Sequence, residues 1–252
     1  QADRKMAVLL IGPRYTPSYW LYRQIVPAIF NNSDPREYDA AEIGRLLHKE
    51  GYVPADIMII TSNTNPQRLK ELKNSQGEDL FSSENIHSWS RKDYENLIET
   101  LKEKPPRELF FYINGHGTNK KGIYSFHRKI VRLVQPYDIL GYIFKGNISR
   151  KELIEDISSI HSQTKVIIDT CYSGDVIDEL KDKDIKVLTS DNNTVSWQKL
   201  LVSVLSSKDM FSEEATLEER MKFIGGKYCY KQIELIPKGS SYKRKEMYSC
   251  ND

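Results

Sequence analysis

Five short apolar runs limit what this chain can fold into. They occupy residues 6–11 (MAVLLI), 57–61 (IMIIT), 109–113 (LFFYI), 165–168 (KVII) and 185–188 (IKVL). None alternates apolar with polar residues, as a strand facing water on one side would. Runs of this length and β-branched content read as strands buried on both faces. Helical patterns lie between them, so the chain is expected to be an α/β protein whose mainly parallel central sheet carries helices on both faces.

The punctuation of the helices supports this reading. Near Pro35, Asp34 can cap, Pro35 suits the first turn, and Glu37 adds charge where the helix dipole favours it. Ala40, Ile43, Leu46 and Leu47 then fall on one face, and Gly51 is a plausible stop. Ser90 caps an expected helix over 91–103, which Pro105-Pro106 ends. Ser149 and Glu152 have the spacing of a capping box, followed by the apolar stripe Leu153, Ile154, Ile157 and Ile160. Further helices are expected from about 196 and between about 212 and 223, a hairpin over 122–134, and a final strand over 228–236. Residues 63–90 are polar and turn-rich and read as a surface insertion. With no repeat and no evident linker, residues 1–252 read as one domain, of which 207–252 form a C-terminal extension.

Charge narrows the partners. The 37 Lys and Arg against 35 Asp and Glu leave a net charge of +2, too even to suggest nucleic acid or a membrane surface as the main partner. No apolar run approaches the ~18 residues of a transmembrane helix. Residues 1–5 are polar and lack a signal-peptide pattern, and since the first residue is not Met a removed signal remains compatible with the sequence. Compartment and oligomeric state therefore stay open, with a lean towards the cytoplasm. Three cysteines are too few for a disulfide scaffold. Cys229 and Cys250 read as ordinary free thiols, although they could pair in an oxidising compartment.

Two segments place a reactive side chain just past the end of a buried strand. One is Phe111-Tyr112-Ile113-Asn114-Gly115-His116-Gly117, the other Ile167-Ile168-Asp169-Thr170-Cys171-Tyr172-Ser173-Gly174. In open α/β sheets, sites form at the carboxyl ends of strands. If these two strands are neighbours, His116 and Cys171 emerge on the same edge. A thiol attacks a carbonyl well only as thiolate, and an adjacent imidazole manages its proton. Gly115, Gly117 and Gly174 let the backbone turn tightly beside both groups. The backbone N–H groups of Gly117 and Cys171 could face a developing oxyanion. His48, His87, His127 and His161 lack such flanks and read as surface residues.

The pair of segments resembles the caspase, metacaspase and legumain superfamily, whose members carry His-Gly after one strand and an acidic-x-Cys-x-Ser-Gly or Gln-Ala-Cys-x-Gly after the next. Asp169-Thr170-Cys171-Tyr172-Ser173-Gly174 is most similar to metacaspases and bacterial caspase-like proteins. His116 and Cys171 lie 55 positions apart, near the ~50 of caspase-type signatures. The likeness covers roughly residues 6–200 in outline. Asn114 stands where metacaspases usually have Ser, and Tyr172 where many have His.

The resemblance implies a caspase-like three-layer fold and a cysteine endopeptidase with a Cys171–His116 dyad, acting on a protein or peptide substrate. It also implies a substrate pocket containing Asp39, Asn114, Asp169 and Ser190. Two carboxylates and an amide suit an Arg or Lys on the acyl side of the cut bond. A legumain-like peptidase or transamidase acting after Asn is the alternative, as is a catalytically silent caspase-like scaffold. No cofactor is implied. Calcium activation is common among metacaspases, but no motif here compels it.

Overall fold

The computed structural model describes residues 4–12, 35–62, 66–74, 76–118, 123–125, 147–170, 173–180, 183, 185–189, 200–212, 214–225, 233–238 and 241–246. The central sheet has six strands, all parallel. They are β1 (Lys5–Ile11), β2 (Ile57–Thr61), β3 (Ile86–Ser88), β4 (Glu108–Asn114), β8 (Gln163–Asp169) and β9 (Ile185–Thr189). Their order is β3-β2-β1-β4-β8-β9. The chain fills one side of β1 first and then crosses to the other, so the switch in strand order falls between β1 and β4. In open α/β sheets, ligands bind outside the carboxyl ends of the strands at such a point.

Helices cover both faces, as the apolar runs require. Even and odd residues of each strand serve different layers. Ala7, Leu9 and Ile11, with Phe110, Tyr112 and Ile167, pack under α1 (Pro35–Lys49), α6 (Leu200–Leu205) and α7 (Leu217–Gly225). Val8 and Leu10, with Phe111, Ile113, Val166 and Ile168, pack under α3 (Arg91–Glu103), α4 (Arg150–Ser159) and α5 (Asp175–Leu180). Each Val, Leu, Ile or Phe among them, fully buried, contributes about 1.5–3 kcal/mol to folding before entropy is counted. The caps fall where the sequence puts them. Ser90 Oγ accepts from Asp93 N, and Ser149 and Glu152 close a full capping box.

Residues 63–90 are more than a surface insertion. They contain the short helix α2 (Gln67–Lys70) and the edge strand β3. They also bury Leu69, Leu80 and Phe81 in the layer beneath α1. Phe81 packs so closely on Gly44 that a Cβ there would lie 2.7 Å from the ring. His48 joins the same contact. It is half-buried, with Nε2 2.9 Å from the Leu80 carbonyl oxygen, not a free surface residue.

Of the expected hairpin over 122–134, β6 (Ile123–Ser125) is described; it is the middle strand of a small antiparallel sheet between β5 (His116–Thr118) and β7 (Asn147–Ser149). Residues 126–134 lie outside the described residues, as do Asp34, 196–199 and 228–232. The strand expected over 228–236 is seen from residue 233 as β10 (Ile233–Lys238), and it is not the last, because β11 (Ser241–Glu246) follows and pairs with it antiparallel.

The amino edge of the sheet is closed by charge. Glu218, in the first turn of α7, meets Lys165 of β8 at 3.0 Å, Lys222 at 2.8 Å and Lys186 of β9. Its backbone N–H donates to Glu50 Oε1 at 3.1 Å, so the C-terminal end of α1 and the start of α7 share one network. Partial burial pushes the Glu218 carboxyl upward, but hydrogen bonds from Lys186, Lys222 and Lys165 outweigh it and hold the group far below the usual carboxylate range. A carboxyl depressed in the folded state stabilises it above the unfolded value of ~4.3. That contribution drains as pH falls below this value. Urea unfolding from pH 7 to pH 3 should therefore show a loss of stability that is shallower in Glu218→Gln. Parallel pH profiles for the two proteins would contradict the role of this network.

Candidate active site

Register places the residues at the strand ends. In the parallel pair β4–β8, Asn114 stands beside Asp169, each the last residue of its strand. Both chains therefore leave the sheet at one level. His116 and Cys171 each follow two positions later, an equal displacement on both arms. His116 opens β5, where it pairs with Ser125, and Gly117 pairs with Tyr124. Cys171 and Ser190 lie outside the described residues, as does the His116 side chain.

Around these arms the interior turns polar. Of the nine buried polar or charged residues among those described, Thr61, Asn114, Asp169 and Thr189 are the last residues of β2, β4, β8 and β9. Thr170 and Ser173 follow β8, and Asp39 lies on α1. Seven of the nine thus gather at or beside the carboxyl edge or on the helix above it, where strand topology alone would put a site. Buried polar groups are tolerated only with partners, so their concentration marks this edge as specialised.

Three of the four residues expected in the substrate pocket are brought together. Asn114 and Asp169 share a face because paired residues of parallel strands point the same way, the face of Phe110, Tyr112 and Ile167 beneath α1. Asp39 of α1 reaches Asn114. Asn114 Nδ2 donates to the Tyr112 hydroxyl at 2.9 Å and, more weakly, to Asp39 Oδ2 at 3.4 Å. Asp39 and Asp169 are each only 1% exposed. Two carboxylates this far from water make a local field that favours a cation. Asn114 Oδ1 and Ser173 Oγ are buried and meet no hydrogen-bond partner among the described residues. That leaves acceptor capacity beside the carboxylates.

Tyr112 is the member that sequence reasoning missed. Its hydroxyl fixes the amide of Asn114 from within the strand. The available signal was its spacing, two residues before Asn114 and hence on the same face. Among the described residues no group of three or more His, Cys, Asp or Glu side chains could hold a metal ion. No described helix is long and apolar enough to cross a membrane.

No protein-family model matches the chain, and no curated protein matches it significantly.

The cluster yields a prediction about Asn114. Replacing it with Asp sets a carboxyl against that of Asp39 and beside Asp169 in register, and crowding of like charge raises carboxyl pKa values in the folded state. Each unit of that upward shift removes about 1.4 kcal/mol of stability once pH exceeds the shifted value. Asn114→Asp should lose more stability at pH 7.5 than at pH 5 in urea unfolding. An equal deficit at both pH values would mean that Asp39 and Asp169 do not share one electrostatic site with Asn114.

Proposed function

We propose that this chain is a caspase-like cysteine endopeptidase that cuts peptide bonds after Arg or Lys. The observation that carries the reading is the pairing of Asn114 with Asp169 at the ends of neighbouring parallel strands. His116 and Cys171 follow at equal distance. In the mechanism, the His116 imidazole takes the proton of the Cys171 thiol. The thiolate sulfur then bonds to the carbonyl carbon of the substrate, and the carbonyl π pair moves onto oxygen. Backbone N–H groups of Gly117 and Cys171 stabilise that oxyanion, by about 3 kcal/mol each by analogy with measured donors. Collapse expels the amine, which leaves with the proton held by His116, and a thioester remains. Water, deprotonated by the same imidazole, releases the acid and restores the thiol.

Specificity follows from the buried acids. A substrate arginine or lysine entering beside Asp39 and Asp169 exchanges water for charge-assisted hydrogen bonds, while Asn114 Oδ1 offers a neutral acceptor. Ser190 is proposed as a further pocket residue on the resemblance alone. An acidic substrate residue would face two carboxylates and be rejected.

Fluorogenic peptides that differ only at the residue before the cut test both halves. Turnover should be fastest for Arg or Lys, abolished in Cys171→Ala and His116→Ala with far-UV circular dichroism unchanged, and less selective in Asp169→Asn. Faster cleavage after Asp or Asn would overturn the specificity, and undiminished activity in Cys171→Ala would overturn the mechanism.

A further inference from the structure

Ser149 belongs to two elements at once. It is the last residue of β7 and the N-cap of α4, and its extended backbone (φ −73°, ψ 151°) serves both. From β7 the ladder runs across β6 to β5, with Asn147 paired to Ser125 and Ser125 to His116. The arm carrying His116 is thus tied through two strand pairs to the first turn of α4. That turn is held in place from α3. Arg91 grips the Glu152 carboxylate with both terminal guanidinium nitrogens, while Glu152 Oε2 accepts from Ser149 N at 3.4 Å.

The same turn reaches the other arm. Arg150 Nε lies 2.8 Å from Glu179 Oε1 on α5. Helix α5 starts at Asp175, directly after the Cys171-to-Gly174 segment. Helix preference does not explain Arg150, because a cation in the first turn opposes the helix dipole. Stability does not explain it either, since the pair is partly exposed, with side chains 27% and 40% accessible, and such pairs contribute little. What it does is join the α4 start to the helix that anchors the Cys171 arm.

We propose that the first turn of α4 is a brace that sets the distance between the His116 and Cys171 arms, with Ser149, Arg150 and Glu152 as positioning residues. This rests on the dyad reading above. Misplacement of reacting groups by ångström amounts lowers turnover far more than it lowers stability. Arg150→Gln should therefore keep or slightly raise the melting temperature while kcat on an arginyl peptide falls about ten-fold with KM little changed. Glu179→Gln should do the same, and the exchange Arg150→Glu with Glu179→Arg should recover most of the rate.

The independent readout is the pH dependence of Cys171 alkylation by iodoacetamide. Wild type should react at low pH as an imidazole-activated thiolate, and Arg150→Gln should move towards the profile of a free thiol. Wild-type activation with variants identical in kcat and alkylation profile would overturn the brace alone, as would rate losses that track melting temperature without rescue by the exchange. A wild-type Cys171 that reacts like a free thiol would contradict the dyad and the brace together.

Discussion

The parallel pairing of β4 with β8 is the constraint on which the rest of the molecule depends. It sets Asn114 against Asp169, and from that one register follow the face on which both side chains lie, the contact of Asn114 with Asp39 of α1, and the level at which the segments leading to His116 and Cys171 leave the sheet. A slip of one residue would turn Asn114 or Asp169 towards the opposite layer. The register is held by apolar packing on both faces: Phe110, Tyr112 and Ile167 on one side, and Phe111, Ile113, Val166 and Ile168 on the other. Here stability and site geometry have the same cause.

The two edges of the sheet solve opposite electrostatic problems. At the amino edge, Glu218 is surrounded by Lys165, Lys186 and Lys222, and opposite charges meet where water still reaches them. At the carboxyl edge, Asp39 and Asp169 are almost wholly buried beside an amide. Burying carboxylates is expensive unless something compensates. Within the fold, partners such as the Asn114 amide supply part of that compensation, and in the proposed reaction a cationic substrate group adds charge-assisted hydrogen bonds, a source of selectivity.

Much of this was legible in the chain, for identifiable reasons. Strands buried on both faces have no polar alternation, so the runs at 6–11, 109–113 and 165–168 announce themselves, and Ser90, Ser149 and Glu152 mark helix starts through local chemistry alone. What escaped depends on distant partners. Strand β3 is only Ile86–Ser88 and exists because it pairs with β2. Leu80 and Phe81 sit in a polar stretch, and their burial is decided by α1. Strand β6 pairs with β5 and with β7, the latter more than twenty positions further along, which no local turn signal encodes. In the site, Asn114 and Asp169 could be named as candidates, but their adjacency required the strand order. Tyr112 has the pattern of any other apolar strand residue, and only the fold sets its hydroxyl against Asn114.

The central claim is that Cys171, activated by His116, forms a covalent bond to the acyl carbon that follows a basic side chain. Peptide mapping by mass spectrometry after treatment with an arginyl acyloxymethyl ketone tests it most directly. The account predicts a single adduct, on Cys171, absent in His116→Ala and much slower with the matching aspartyl reagent. Labelling that falls on Cys229 or Cys250, or that proceeds equally with the aspartyl reagent, would contradict it.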